Sequence, residues 1–403
     1  MSFQQGLSGL NAAAKGLDAV SNNVSNASTI GFKSSGTQFS DVYAASIAGG
    51  GASQVGIGVN VSSVKQSFTQ GNISVTNNPL DLAINGGGFF RINNGGTIGY
   101  TRNGQFLVDK SGYIVNASGA RLTGYAANAS GVIVPSSPTD LVISSADLTP
   151  SASTNGTIGL NLDSRATTPA AAFLYTDPTT YNSSTAMTVF DSLGNSHVMT
   201  MYFRKTASNA WQVYTGLDNA APTPAAGTAL TFTSAGAVNT GGTIATSFVL
   251  ANGATTPLAV SLDLTSATQY GSTFGVNSMT QNGYTSGRLS GLTVGSDGVV
   301  QGRYSNGQTR NLGQVVLANF SNPNGLQSQG GNQWAETSTS GQPLIGTPNS
   351  GSLGALQSAA VEESNVDLTG ELVNMITAQR NYQANAQSIK TQDAIMQTLV
   401  NLR

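Results

Sequence analysis

The chain has 403 residues, among them 16 Lys and Arg, 18 Asp and Glu, one His and no Cys, for a formal net charge of −2. Charged residues make up only 8 % of it, against about 25 % in an ordinary soluble domain, so its surface must be built from Ser, Thr, Asn, Gln and Gly. That inventory excludes thiolate nucleophiles, Cys-ligated metals, disulfides and paired-imidazole metal sites, offers no basic surface for nucleic acid, and favours association over self-repulsion.

At the N-terminus the larger apolar residues fall at Phe3, Leu7, Leu10, Ala14, Leu17 and Val24, with Ser21 in the vacant slot. Steps alternating four and three predict a helix with a narrow coiled-coil seam. The same stretch lacks the basic and continuous apolar regions of a cleavable signal peptide, and no apolar run approaches the ~18 residues of a membrane span, so no membrane insertion is expected. Residues 44–54, AASIAGGGASQ, read as a linker of small residues.

The long interior reads as β. Strand-like segments such as Gln105–Val108, Tyr113–Val115, Met187–Phe190, Val198–Phe203, Val299–Tyr304 and Gln314–Phe320 alternate with turns built on Asn103-Gly104, Asp109-Lys110-Ser111-Gly112, Asp191 to Asn195, Asp297-Gly298 and Asn306-Gly307. Two stretches rich in Ser, Thr, Ala and Pro, Thr149–Thr157 and Asn219–Gly227, read as boundary or loop material. At the C-terminus Leu368, Leu372, Met375, Tyr382, Ala386, Ile389, Met396 and Val400 restore the four-three alternation, interrupted at Gln379 and Asp393. Ser364, Asn365 and Asp367 supply helix-capping chemistry before it, and no Pro follows Pro348. Isolated helices of this kind are marginal, so each end needs cover from the other, from neighbouring subunits, or from both.

Candidate chemistry is sparse. His197 with Asp191 and a nearby Ser allows a triad to be drawn, but Asp and Ser here serve turns. Asn85-Gly86-Gly87-Gly88 is followed by the strand-like FFRI, where a phosphate loop needs a helix, and Asp109 to Gly112 lacks the remaining ligands of a calcium loop. No enzyme, metal site or cofactor is expected.

One stretch is more specific: Asn22, Asn23 and Asn26 followed by Thr29-Ile30-Gly31-Phe32-Lys33. With Ser364-Asn365-Val366-Asp367-Leu368, Glu371 to Ile376 and Gln379 to Asn385 near the end, and Thr101-Arg102-Asn103-Gly104-Gln105-Phe106, Leu122 to Tyr125, Gln281 to Tyr284 and Leu317 to Phe320 inside, it resembles the bacterial flagellar rod and hook proteins. Ser25 stands where Ala is more usual. Rod members are shorter, and roughly 135 extra residues in the interior, about one domain, resemble the hook-forming members. The resemblance implies a mainly β fold with α-helical termini that pair as a coiled coil around which two β domains nest. The expected boundaries are 1–30 for the N-terminal helix, 31–77 for a connector, 78–148 and 283–360 for a β domain in two segments, 149–282 for an inserted outer β domain, and 361–403 for the C-terminal helix.

It further implies a structural subunit that assembles with copies of itself into a curved, flexible, hollow tube transmitting torque from rod to filament. Implied partners are the distal rod protein, the hook cap, the hook–filament junction proteins and the flagellar type III export apparatus, with an extracellular place in the flagellum after export. A rod protein with an insertion and a secreted β-rich adhesin or binding module are the competing readings. In a tube, the polar side of the C-terminal helix, with Asn381, Asn385 and Ser388, is expected to face the channel, since uncharged amides and hydroxyls neither retain nor select a passing chain.

Overall fold

The computed structural model describes residues 2–42 and 56–401; the linker expected at 44–54 lies outside the described residues. The fold is mainly β with a helix at each end, α1 (Ser2–Ser25) and α2 (Leu368–Asn401). Packing divides the chain into two compact units, one of Met1–Ser144, Gly291–Arg303 and Thr309–Arg403, the other of Ser145–Ser290 with Tyr304–Gln308.

In the first unit α1 is followed by two antiparallel strands, β1 (Ser35–Val42) and β2 (Gly58–Gln66), which start from a Ser35–Gln66 pair and shift register after Gln38. Most of the unit's other strands join a thirteen-stranded sheet among the described residues, with Phe89–Asn94, Thr97–Thr101 and Arg121–Ala126 at its centre. Its aromatic core holds Phe89, Tyr100, Phe320 and Trp334 with Phe68 against them. The rings meet edge to face, Phe68 to Phe89 at 5.4 Å and Phe89 to Trp334 at 5.8 Å, an arrangement worth about 0.5–1.5 kcal/mol per pair beyond burial. The indole N–H of Trp334 donates to Gln66 Oε1 at 2.6 Å.

Turn chemistry sets the hairpins. Asp109 Oδ1 accepts the N–H groups of Ser111 and Tyr113, both at 2.8 Å, and Gly112 takes a φ of +86° between the paired strands Phe106–Val108 and Ile114–Asn116. Asn85 to Gly88 joins Leu82–Asn85 to Phe89–Asn94, so no helix follows it. The single strand expected over Gln314–Phe320 is two: Thr309–Val315 pairs with Val299–Tyr304, while Leu317–Asn319 pairs with Leu344–Gly346. The buried Val316 marks the change of partner.

The second unit is built from two five-stranded sheets whose inner faces share one core. Along Thr243–Phe248 exposed and buried residues alternate strictly, with Ile244, Thr246 and Phe248 turned inward. Met199, Met201, Phe203, Trp211, Leu160 and Leu262 fill the centre, and the Trp211 N–H is satisfied by Gln269 Oε1 at 2.9 Å.

Candidate assembly site

Side-chain amides take over where the ladder of α1 ends. Asn26 donates from both its backbone N–H, at 3.1 Å, and its Nδ2, at 2.9 Å, to the Asn22 carbonyl, and accepts from Thr29 Oγ1 at 3.2 Å. Asn23 is buried, and its amide pairs with Ser35 as a strand residue would: Oδ1 accepts the Ser35 N–H and Nδ2 donates to the Ser35 carbonyl, both at 2.8 Å. Its Nδ2 also reaches Glu371 Oε1, in the first turn of α2, at 3.3 Å. One amide thus holds α1, β1 and α2 together.

The rest of the motif makes the chain's exit. Gly31 sits at φ +71° against the backbone of Asn103, and its N–H donates to the Glu362 carbonyl at 2.8 Å. Phe32 is buried beside it. Lys33 then enters a closed ionic cluster: its Nζ donates to Glu362 Oε1 and to the Thr69 carbonyl, both at 2.7 Å, and Arg102 Nη1 reaches Glu362 Oε2 at 3.0 Å. The Gly71 N–H closes on Glu362 Oε1 at 2.9 Å, and Arg102 Nη2 donates to the Gly86 carbonyl at 2.9 Å. Side-chain exposure is 0 % for Lys33 and Glu362 and 4 % for Arg102. Burial pulls Lys33 below the usual lysine range, with the Glu362 carboxylate opposing it, and acts on Arg102 in the same direction. Asn365 adds a second clasp, accepting the Ser34 N–H and donating to the Ser67 carbonyl, both at 2.8 Å. Asp367 Oδ1 accepts the Thr369 N–H at 3.1 Å and caps α2.

The sequence motif singled out Asn23, Gly31, Phe32 and Lys33 without their partners. Arg102 was legible only as part of a turn and of the stretch Thr101 to Phe106 that carries the resemblance, without its role, and Glu362 was not singled out. Their signal was scarcity, since a charge beside apolar Ala360-Val361 is unusual in a chain with 34 charged residues.

The two helices run antiparallel, and the faces that meet overlap the predicted seams only in part. A Cβ on Gly6 would lie 3.0 Å from Ile389 Cγ1, and one on Gly9 2.9 Å from Asn385 Oδ1, while Asn23 faces Glu371. Ala12 and Ala19 are the buried apolar residues of α1, whereas Phe3, Leu7, Leu368, Leu372 and Met396 are exposed and Leu10, Leu17, Val24 and Met375 are half-buried. Large apolar residues mark a stripe, but close approach of backbones needs Gly and Ala, which carry little hydropathy signal. Tyr382 is exposed, Ile389 packs at Gly6, and the Val400 side chain lies outside the described part. Of the residues expected to face a channel, Asn385 points at Gly9, Asn381 lines the same groove, and Ser388 is exposed with its hydroxyl on the Ala384 carbonyl.

His197 stands between carboxylates, with Nδ1 2.6 Å from Asp218 Oδ2 and Nε2 3.4 Å from Asp191 Oδ2. No hydroxyl nucleophile shares those hydrogen bonds. Among the described residues no group of His, Asp and Glu is placed to hold a metal ion, and no helix is long and apolar enough to cross a membrane.

Comparison with known proteins covers almost the whole chain. Residues 3–33 match the flagella basal body rod protein family, 83–147 the flagellar hook protein FlgE/F/G D1 domain, 161–284 the flagellar basal body protein FlaE D2 domain, and 357–402 the flagellar basal body rod FlgEFG protein C-terminal region. The flagellar hook proteins FlgE of Salmonella typhimurium and Escherichia coli K12 are each 44 % identical over 100 % of both chains, and that of Brucella suis is 34 % identical over 100 % of this chain and 98 % of its own. The crystal structure of Helicobacter pylori flagellar hook protein FlgE2 shares the fold, with a TM-score of 0.51 and 13 % identity over 70 % of this chain and 99 % of that one. Full-length identity at this level, from the Asn-rich exit of α1 to the capped start of α2, makes the chain a member of the flagellar hook protein family, a structural subunit of the bacterial flagellar hook.

Proposed function

We propose that the chain polymerises through its terminal helices into a curved hollow tube that couples rod to filament and carries no catalytic activity. The observation behind this reading is the state of the predicted seams in a single chain. Phe3 is 52 % exposed, Leu372 44 % and Met396 61 %, and Val373 and Ile376 are exposed with them. Apolar rows of this length on a soluble surface mark an association site, and the closed partner helix already occupies the small-residue face. Copies of the same chain supply matching rows, so they are the natural cover. Export through the flagellar type III apparatus, an extracellular destination, and end contacts with the distal rod, hook cap and junction proteins belong to the same reading. Of the residues expected at a channel wall, Ser388 stays exposed on α2 outside the groove shared with α1.

Electron microscopy of concentrated purified protein tests it. Curved tubes of regular diameter are the expected product. Protein that stays monomeric at every concentration, or forms only straight rod-like segments, would refute it.

A further inference from the structure

The Lys33–Glu362–Arg102 cluster sits where the chain leaves α1 and where it returns towards α2. Glu362 alone receives Lys33, Arg102 and the Gly71 N–H on its carboxylate and the Gly31 N–H on its carbonyl. Two cations on one carboxylate leave an excess positive charge in a site without solvent, and Arg102 Nε has no hydrogen-bond partner. Such clusters contribute little to stability. Desolvation of the ions offsets their attraction, and well-packed apolar replacements are often neutral or stabilising, whereas removing one member alone is strongly destabilising. What the ions supply instead is direction, because charge-assisted hydrogen bonds fix both distance and angle.

Direction matters here because of the length of the lever. At about 1.5 Å per residue, the 34 residues of α2 extend about 50 Å from this anchor, so a tilt of about 10° at the base displaces the far end by about 9 Å. An apolar contact that tolerates slippage cannot hold so long a helix to one bearing. We infer that Lys33, Glu362 and Arg102 are positioning residues for assembly: they set the bearing of the terminal helices on the β portion of their own unit, so that successive subunits meet with one geometry. The inference rests on the polymerising role proposed above.

The experiment replaces the whole cluster with Lys33→Met, Arg102→Met and Glu362→Leu in the full chain. The absence of native Cys permits clean spin labelling at Thr391→Cys, exposed in the far half of α2, and Thr97→Cys, in a β hairpin of the same unit. The expected result is a urea midpoint, followed through Trp334, equal to or above that of the parent, with a label-to-label distance distribution at least twice as broad. The polymers formed should vary in pitch, and the polymerisation threshold should rise about tenfold. Glu362→Gln alone, which leaves two buried cations on a neutral amide, should lower the midpoint sharply. An unbroadened distance distribution, tubes of parental pitch, or a lower midpoint in the triple variant would overturn the inference. A parent chain that forms no tubes would instead refute the polymerising role, with the distance measurement still deciding the bearing.

Discussion

Gly31→Ala isolates the tightest point of the chain's exit from α1. At φ +71° a residue with a Cβ meets a left-handed penalty of about 1–2 kcal/mol. That Cβ would also lie 2.5 Å from Asn103 N and 2.7 Å from Asn103 Cα, and backbone cannot step aside as a side chain can. Overpacking of this kind adds about 1–3 kcal/mol, for a total of about 2–5 kcal/mol. Gly95→Ala is the matched control, since Gly95 has φ +60° and no atom within 4 Å of the added carbon, so it bears only the first penalty. The two Trp residues fall one to each unit, Trp334 in the first and Trp211 in the second, both buried. In a Trp211→Phe background, urea unfolding followed by fluorescence therefore reports the first unit alone. With a slope of about 3 kcal/mol per molar urea, the Gly31 variant should unfold about 0.3–1 M below the Gly95 variant. Equal midpoints would show that the close approach to Asn103 is not a constraint on this exit.

Asn23→Asp keeps an acceptor for the Ser35 N–H but can no longer donate to the Ser35 carbonyl, and it sets a carboxylate against Glu371. A loss of about 1–3 kcal/mol is expected in the Trp334 transition, and an unchanged midpoint would remove Asn23 from the anchor. For the second unit, burial tends to lower the His197 pKa, but hydrogen bonds to Asp218 and Asp191 outweigh it and raise it above the ordinary value. Asp191 is held well below the usual carboxylate range because hydrogen bonds from Asn195, Asn252 and His197 overcome its burial. The histidine contribution is therefore complete below about pH 6.5 and lost as pH rises through the raised value, while the aspartate contribution is present above about pH 4 and lost on acidification. The Trp211 transition should peak in stability between these limits, and His197→Gln should flatten its fall above pH 6.5; a parallel fall in the variant would exclude the histidine as its source. Limited proteolysis of soluble protein should cut α1 before Ala19 and α2 beyond Glu371, while polymer resists; uncut ends in the soluble form would contradict the need for intersubunit cover.

Local chemistry made the class of fold legible. Asn or Asp with a nearby Gly favours a hairpin turn, because the short side chain bonds its own backbone and glycine accepts a positive φ. Asp109 and Gly112 do this here. The helices announced themselves by periodicity, and the Asn-rich stretch located the exit of α1. Periodicity does not say which face a helix buries, however. Phe3, Leu7, Leu368 and Leu372 of the pattern are exposed in the single chain and Leu10 and Leu17 are half-buried, while Gly6, Gly9 and Ala12 make the close contact. The ionic cluster was hidden for a different reason. Lys33 and Glu362 are 329 residues apart, Arg102 and Glu362 260 apart, and no local rule links charges at such separations.

That separation gives the anchor a topological role. Everything from Lys33 to Glu362, including the whole second unit, is a loop pinned at its base. Loop-closure entropy grows only with the logarithm of length, about 0.6 kcal/mol for each doubling. A domain can be enlarged, exchanged or removed within the loop with almost no change in the free energy of joining the two helices. The ends are thereby free to keep one standardised fitting while the middle of the chain varies in size.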